Sequence, residues 1–226
     1  MNSKTGSEEI SRVPRSKRQA KESYDRISGF YDYFAGIFES KYKDTALDRL
    51  RFAEGETVLE IGFGTGHCLK RIAGLVGDTG KACGIDISSG MLEETRKRLE
   101  KAGLIHRVEL HRGDAAEMPF SDDSFDAVFS SFTLELFDTP EIPMVLGEIK
   151  RVLSPGGRFG VVSLSKEDGD SIPVKLYEWV HRKFPEYVDC RPIHVERSLT
   201  DAGFGIEHGE RAEMFGLPLE IVVASI

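Results

Sequence analysis

Three carboxylates and three glycines carry most of the chemical information in this sequence. Glu60 lies inside the apolar run of "VLEIGFGTGH" (58–67), where a buried strand ordinarily carries an apolar residue, and Gly62, Gly64 and Gly66 follow at alternate positions. Asp86 ends "GIDI", and Asp114 stands in "GDAAEMPF". Glycines at such a turn let the backbone swing sharply and admit a ligand without interference from Cβ. A dinucleotide-binding turn would read GxGxxG and aim a helix N-terminus at a pyrophosphate. Here the spacing is GxGxG, and a carboxylate before it repels a phosphate but favours a cation. Three carboxylates at the ends of three successive strands suit a cationic ligand that carries an adenosine. Asp86 stands where a ribose diol is gripped, and Asp114 stands beside a slot of adenine size.

Bringing those groups to one edge requires a parallel sheet. "TVLEIG" reads as a buried strand and residues 65–76 as the helix after the glycines. "KACGIDI" is a second strand, and Ser88 can cap a helix running to about Ala102 with Met91, Leu92, Thr95 and Leu99 on one face. "RVELHRGD" is a third strand and "FDAVFSSF" a fourth, after the acidic turn "SDDS". Pro140 to Leu153 reads as a helix ended by "SPGG", and "RFGVVSLS" as a fifth strand. Strands alternating with helices call for helices on both faces of the sheet, and right-handed crossovers leave few topologies.

Beyond Ser165, "PVKLYEWVHRKF" and "PIHVERSLTDAGF" read as helices, the second stopped by Gly203. "GIEHGERAEMFG" and "LPLEIVVASI" read as two strands joined at Gly216-Leu217-Pro218, an antiparallel edge. Before the sheet, Ile27, Phe30, Tyr31, Phe34, Ile37 and Phe38 recur at helical spacing and predict one or two helices with an aromatic face. The expected architecture is α/β: a three-layer α/β/α sandwich with a mostly parallel seven-stranded sheet and an antiparallel C-terminal strand.

The 226 residues, 40% hydrophobic and 30% charged, suit one large soluble domain. No stretch approaches the roughly 18 to 20 apolar residues that span a bilayer, and the N-terminus lacks the apolar core of a secretion signal. Cys68, Cys83 and Cys190 are widely spaced with no CxxC pair, so neither a zinc site nor a disulfide framework is indicated. A cytoplasmic chain is expected. The net charge of −8 argues against broad nucleic-acid binding. Yet Arg12, Arg15, Lys17, Arg18 and Lys21 occur with no acidic residue among them. That segment is either a solvated tail or a contact for anionic lipid or RNA.

"VLEIGFGTGH", "GIDISSGMLE", "GDAAEMPFSDDSFDAVFSS" and "RVLSPGGRFGVVSLS" resemble the successive motifs of the Rossmann-like S-adenosylmethionine-dependent methyltransferases, in order and spacing. The resemblance runs from about Tyr24 to the C-terminus. The aromatic "YDRISGFYDYF" and the final "PLEIVVAS" are similar to the branch containing ubiquinone and menaquinone C-methyltransferases. It implies that Glu60, Gly62, Gly64 and Gly66 shape the methionine end of the cofactor pocket and that Asp86 accepts both ribose hydroxyls. Ile87 and Met91 would pack against adenine, although Met91 serves a helix core equally well. Asp114 would accept from the adenine amino group, Ala115 would offer a backbone N–H, and Ser130 and Ser131 would line the floor where donor and acceptor meet. The implied organisation is a mobile basic arm over 1–22 and a methyltransferase domain over 23–226, with a helical lid at about 23–50. In that lid Tyr24 and Tyr31 would face the sulfonium or pack in the core. The arm would then lie where it can rest on a membrane holding a lipid-tailed acceptor.

Methyl transfer from a sulfonium needs alignment and exclusion of water more than a catalytic triad, and the sequence shows neither a triad nor a metal cluster. The candidates for handling the acceptor are Arg191 and His194, in "YVDCRPIHVE", and Glu135, in "SFTLELF", where many relatives carry histidine. Tyr31 is a fourth. The expected activity is methylation of a small molecule, quinone-like or lipid, by metal-independent direct displacement. The alternatives are a non-catalytic module that binds the same cofactor and a nicotinamide-dependent oxidoreductase.

Overall fold

The computed structural model describes residues 12, 13, 16–27, 37–166, 177, 179 and 190–226. Two helices precede the sheet, α1 (Lys17–Ile27) and α2 (Ile37–Leu50). Then come β1 (Thr57–Ile61), α3 (His67–Leu75), β2 (Lys81–Asp86), α4 (Ser89–Lys101), β3 (Val108–Arg112) and β4 (Phe125–Ser131). The chain continues through α5 (Ile142–Val152), β5 (Leu153–Leu164), α6 (Val195–Asp201), β6 (Gly205–Met214) and β7 (Leu217–Ser225). The strands form one seven-stranded sheet in the order β3-β2-β1-β4-β5-β7-β6.

All pairings from β3 to β5 are parallel, whereas β7 runs antiparallel to both β5 and β6. The architecture expected from the sequence is therefore present, with one adjustment. The two final strands form the expected antiparallel edge, and within it β7 lies between β5 and β6 and leaves β6 outermost. The turn joining them is Phe215-Gly216, one residue earlier than expected, with both residues at positive φ (55° and 78°). That is the two-residue turn whose twist matches the flanking strands.

Side-chain alternation splits the core between the two faces. Leu59 and Ile61 of β1 pack toward α5 and α6, and Val58 packs toward α2 and α3. Glu60 shares the face of Val58 because side chains in a strand alternate with period two. Ser88 caps α4 as expected, its Oγ accepting from Met91 N–H at 3.1 Å. α5 and α6 are shorter than their sequence patterns, and α6 ends just before Gly203, whose φ is +83°. The helix expected over "PVKLYEWVHRKF" lies, apart from helical Tyr177 and Trp179, outside the described residues. Most of the aromatic stripe between α1 and α2, Tyr31 included, lies outside them too.

The strand order reverses between β1 and β4, since the chain steps outward through β2 and β3 before returning to the other side of β1. In open α/β sheets the crevice at the carboxyl ends of strands flanking such a reversal is where ligands bind.

Candidate active site

A cavity of about 620 Å³ opens at that crevice. Its wall includes Glu60, Gly62 and Gly64 after β1, Asp86, Ile87 and Met91 after β2, Asp114 and Ala115 after β3, and Ser131 at the end of β4. Tyr24 of α1 completes part of the opposite side. The structure thus gathers nearly every residue that the sequence motifs single out.

The glycine turn is held from two sides. Asp86 Oδ2 accepts from the Gly64 backbone N–H at 2.9 Å, and Thr95 Oγ1 donates to the Gly64 carbonyl at 2.8 Å. Gly62 has φ +68°, and a Cβ there would sit 2.3 Å from Thr133 Oγ1, so only glycine fits. A Cβ on Gly64, at φ +52°, would meet no atom within 4 Å. The first glycine therefore serves packing, while the second leaves open space on the cavity side.

Asp86 uses its other oxygen to accept from Ser88 N–H at 2.9 Å. Burial pushes its pKa up to about 6, against the pull of these backbone donors. Each carboxylate oxygen has two lone-pair directions, so Asp86 can hold the turn and still accept from a ligand hydroxyl.

Glu60 is 2% exposed and its Oε2 has no hydrogen-bond partner. The Leu69 backbone N–H bonds the same carboxylate. Burial lifts its pKa well above the ordinary value, Lys43 of α2 opposes that shift, and nearby Asp86 adds to it. Lys43 also lines the cavity, pairs with Glu39 at 2.7 Å and stands 5.6 Å over the Phe132 ring. Burial works against the Lys43 ammonium, but Glu39, Cys68 and Glu60 together raise its pKa. An orphaned buried carboxylate oxygen costs on the order of 1–3 kcal/mol. A cationic, N–H-bearing ligand in the cavity would satisfy it.

The adenosine side shows a feature that the sequence did not reveal. Asp114 Oδ1 accepts from Ala116 N–H at 3.0 Å, while Oδ2 takes the Lys17 ammonium at 2.5 Å. Lys17 also reaches Glu141 at 2.8 Å. Arg12 forks onto Asp138 at 2.8 and 2.5 Å and holds that carboxyl far below its usual range. Asp25 accepts from Ser88 Oγ at 2.6 Å and from Gly90 N–H at 2.9 Å, tying α1 to the start of α4. Residues 12 to 24 contribute Arg12, Val13, Ser16, Lys17, Ala20 and Tyr24 to the cavity wall. α1 begins at Lys17, inside the stretch expected as an arm, and Arg12 and Lys17 of that stretch line the cavity while staying partly exposed to solvent. Regular polar spacing gave no signal for this, because the carboxylates that recruit Arg12 and Lys17 come from loops far along the chain.

Several expected residues lie elsewhere. Ser130 is buried between β1 and β5 and does not line the cavity, since strand alternation sends it to the face opposite Ser131. His194 stands at the start of α6, where its carbonyl accepts from Ser198, and it too is absent from the wall. Glu135 and Arg191 are both fully buried behind Leu136 and Phe137, which do line the cavity. Tyr31 lies outside the described residues.

The family described as "Methyltransferase domain" matches residues 58–157, the stretch from β1 into β5 that builds this site. A protein of Symbiobacterium thermophilum named demethylmenaquinone methyltransferase is 35% identical over 208 residues, spanning 84% of this chain and 82% of its own length. The chain belongs to the class I S-adenosylmethionine-dependent methyltransferases. Its place within them is the quinone C-methyltransferase branch. A relative of the same name from Listeria welshimeri is 34% identical, and there the chain spans 58% of the relative's length. Among solved structures, an S-adenosylmethionine-dependent methyltransferase from Aquifex aeolicus superposes with a TM-score of 0.64 at 25% identity, covering 91% of this chain and 98% of that one.

The residues present fit S-adenosylmethionine, which supplies a methyl group on a sulfonium. Glu60 has an unpartnered oxygen for the methionine ammonium, and Asp86 keeps lone pairs for the ribose. The Met91 and Ile87 side chains offer an apolar wall for the base. Binding an ammonium would also return Glu60 to its anionic form, since a nearby cation lowers a carboxyl pKa.

Proposed function

We propose that this methyltransferase alkylates a small-molecule acceptor, quinone-like or lipid-tailed, by direct displacement without a metal ion. The observation that carries this reading is the cavity itself: one polar end fitted to the cofactor, continuing past Ser131 to apolar Phe132, Leu136 and Phe137. Such a surface suits a flat ring or an alkyl chain. The name borne by the Symbiobacterium and Listeria relatives supports a quinol among such acceptors. In a displacement at a sulfonium methyl the protein's contribution is alignment and exclusion of water.

A lipid acceptor would be met at a membrane surface by a cytoplasmic enzyme. Arg18 is exposed on α1, the helix that also carries the cavity-lining Lys17, which supports contact with anionic lipid through that helix. No helix among the described residues is long and apolar enough to cross a membrane.

The test is an anaerobic incubation with methyl-labelled cofactor and a panel of quinols, phenols, amines and lipids, with and without a chelator. Label in a carbon-methylated quinol, unchanged by chelator, is the expected result. Cofactor binding without transfer to any acceptor would favour the non-catalytic module instead. Sedimentation with anionic vesicles, repeated after Arg18→Gln and Lys21→Gln, checks the membrane contact; unchanged sedimentation removes it.

A further inference from the structure

A largely buried ammonium stands in the cavity wall near Glu60. Ser40, Lys43 and Asp44 share one face of α2, three and four residues apart, and all three line the cavity. Asp44 is engaged by Arg71 at 2.5 Å. The Lys43 side chain is only 17% exposed. Its ammonium pairs with Glu39, one helical turn back, at 2.7 Å, in a direction that leaves Glu39 Oε2 without a hydrogen bond. The Phe132 ring lies 5.6 Å away on another side. Among the described residues no other ion pair or hydrogen bond reaches Lys43.

An ammonium has three donors, and a buried charge is costly unless it is both paired and hydrogen-bonded. Glu39 compensates the charge of Lys43 and Phe132 adds a cation–π contact, yet the donors are not used up. Glu60 acts on Lys43 through its charge alone, with no contact between the two side chains. Burial keeps the nearby Cys68 thiol neutral, so it supplies no competing anion. One part of the cavity wall therefore holds a carboxylate oxygen that lacks a donor and an ammonium with donors to spare. Two such groups in contact would neutralise each other. Held apart on the same wall, they are complementary to a ligand group that carries both charges.

We propose that Lys43 is a specificity-determining residue that takes the carboxylate of the cofactor's amino-acid end while Glu60 takes its ammonium. This rests on the cofactor assignment above and extends it to a group that the sequence motifs leave unassigned, since α2 lies outside all of them. Glu39 is then the positioning residue: its ion pair one turn back holds the lysine stem along α2, and the remaining donors are left for the ligand. A charge-assisted bond of this kind is roughly twice as strong as a neutral one, and it is lost by any adenosine compound without a carboxylate. The glycine turn and Asp86 recognise what all such compounds share. Lys43 supplies the discrimination among them, because a site built around a buried charge leaves that charge unsatisfied when the wrong ligand enters.

The test is calorimetric titration of the full chain with three probes: S-adenosylhomocysteine, its decarboxylated form, and methylthioadenosine, which lacks the whole amino-acid group. Wild type should bind S-adenosylhomocysteine about 30-fold more tightly than the decarboxylated form, the worth of a hydrogen bond to a charged group. Lys43→Met should cut that preference below about threefold, chiefly by weakening S-adenosylhomocysteine. Lys43→Arg, which keeps the charge, should retain a preference of about tenfold. Methylthioadenosine reaches neither Lys43 nor Glu60, so its affinity should stay within about twofold in both variants and reports an intact pocket. Should Lys43→Met fail to fold, Lys43→Gln, which keeps a donor for Glu39, gives the same reading. Equal affinity of wild type for S-adenosylhomocysteine and its decarboxylated form, or a preference that survives loss of the lysine charge, overturns the proposal. Failure of wild type to bind either S-adenosylhomocysteine or methylthioadenosine would instead sink the cofactor assignment, a separate outcome.

Discussion

On the side of the cavity formed by Asp86 and Asp114 the carboxylates are satisfied by the protein. Asp86 holds Gly64 and Ser88, and Asp114 holds Ala116 and Lys17. Elsewhere the opposite is true: Glu60, on the cavity wall, and Glu135, outside it, each keep a buried oxygen without a partner, and Arg191, also outside it, keeps two nitrogens. The difference teaches how each end is prepared. Backbone donors and a surface lysine preorganise the Asp86 and Asp114 side. The other group keeps unsatisfied polar atoms, and a fold tolerates these because the surrounding core over-determines their positions.

The strongest way to break this contrast is Asp86→Ala. It removes the clamp on Gly64 and the carboxylate proposed to accept from the ribose, so S-adenosylhomocysteine affinity should fall by on the order of 100-fold or more, read by calorimetry. Protonating the same residue should act alike in the wild type. Its folded pKa of about 6 lies above the roughly 3.9 of an unfolded aspartate, so its contribution to stability is complete below pH about 4 and is lost as pH rises through about 6. Ligand binding, which uses the anion, should run the other way and weaken about tenfold per pH unit below about 6. A flat binding profile would remove Asp86 from the ribose.

Glu60→Gln sharpens the comparison at the other end. The substitution replaces a buried carboxyl whose Oε2 has no partner, so the melting temperature should hold or rise. Cofactor affinity should still drop about 10- to 30-fold, the worth of a hydrogen bond to a charged group. If affinity and stability fell together, Glu60 would be a structural carboxylate.

The glycine turn separates packing from access. Gly62→Ala forces a Cβ into Thr133 at a positive φ and should cost about 2–3 kcal/mol of stability in denaturant unfolding. Gly64→Ala meets no atom and should cost about 1 kcal/mol, with the larger effect on cofactor affinity. The smallest effect belongs to Lys17→Met. Its ion pairs with Asp114 and Glu141 are more than a third exposed on the lysine side, so cofactor affinity should change by no more than about fivefold and should lose part of its salt dependence.

The alternation of strands and helices, the Ser88 cap, and the line-up of Glu60, Asp86 and Asp114 on one edge were all legible from the chain, because hydrophobic period and turn chemistry are local properties. Glycine spacing beside a buried carboxylate was enough to point to a cationic adenosine ligand. Tertiary structure decided the rest. Only strand pairing shows that Ser131 faces the cavity and Ser130 does not, and that β7 lies inside the sheet. Only the packed chain shows Lys17 on Asp114 or Arg12 on Asp138, contacts across 97 and 126 residues. Burial and orphaned hydrogen-bonding atoms have no sequence signature, since they depend on what every other element leaves uncovered. That is why Glu135 and Arg191 read as candidates for handling the acceptor in the sequence and as fully buried, incompletely bonded side chains outside the cavity wall in the fold.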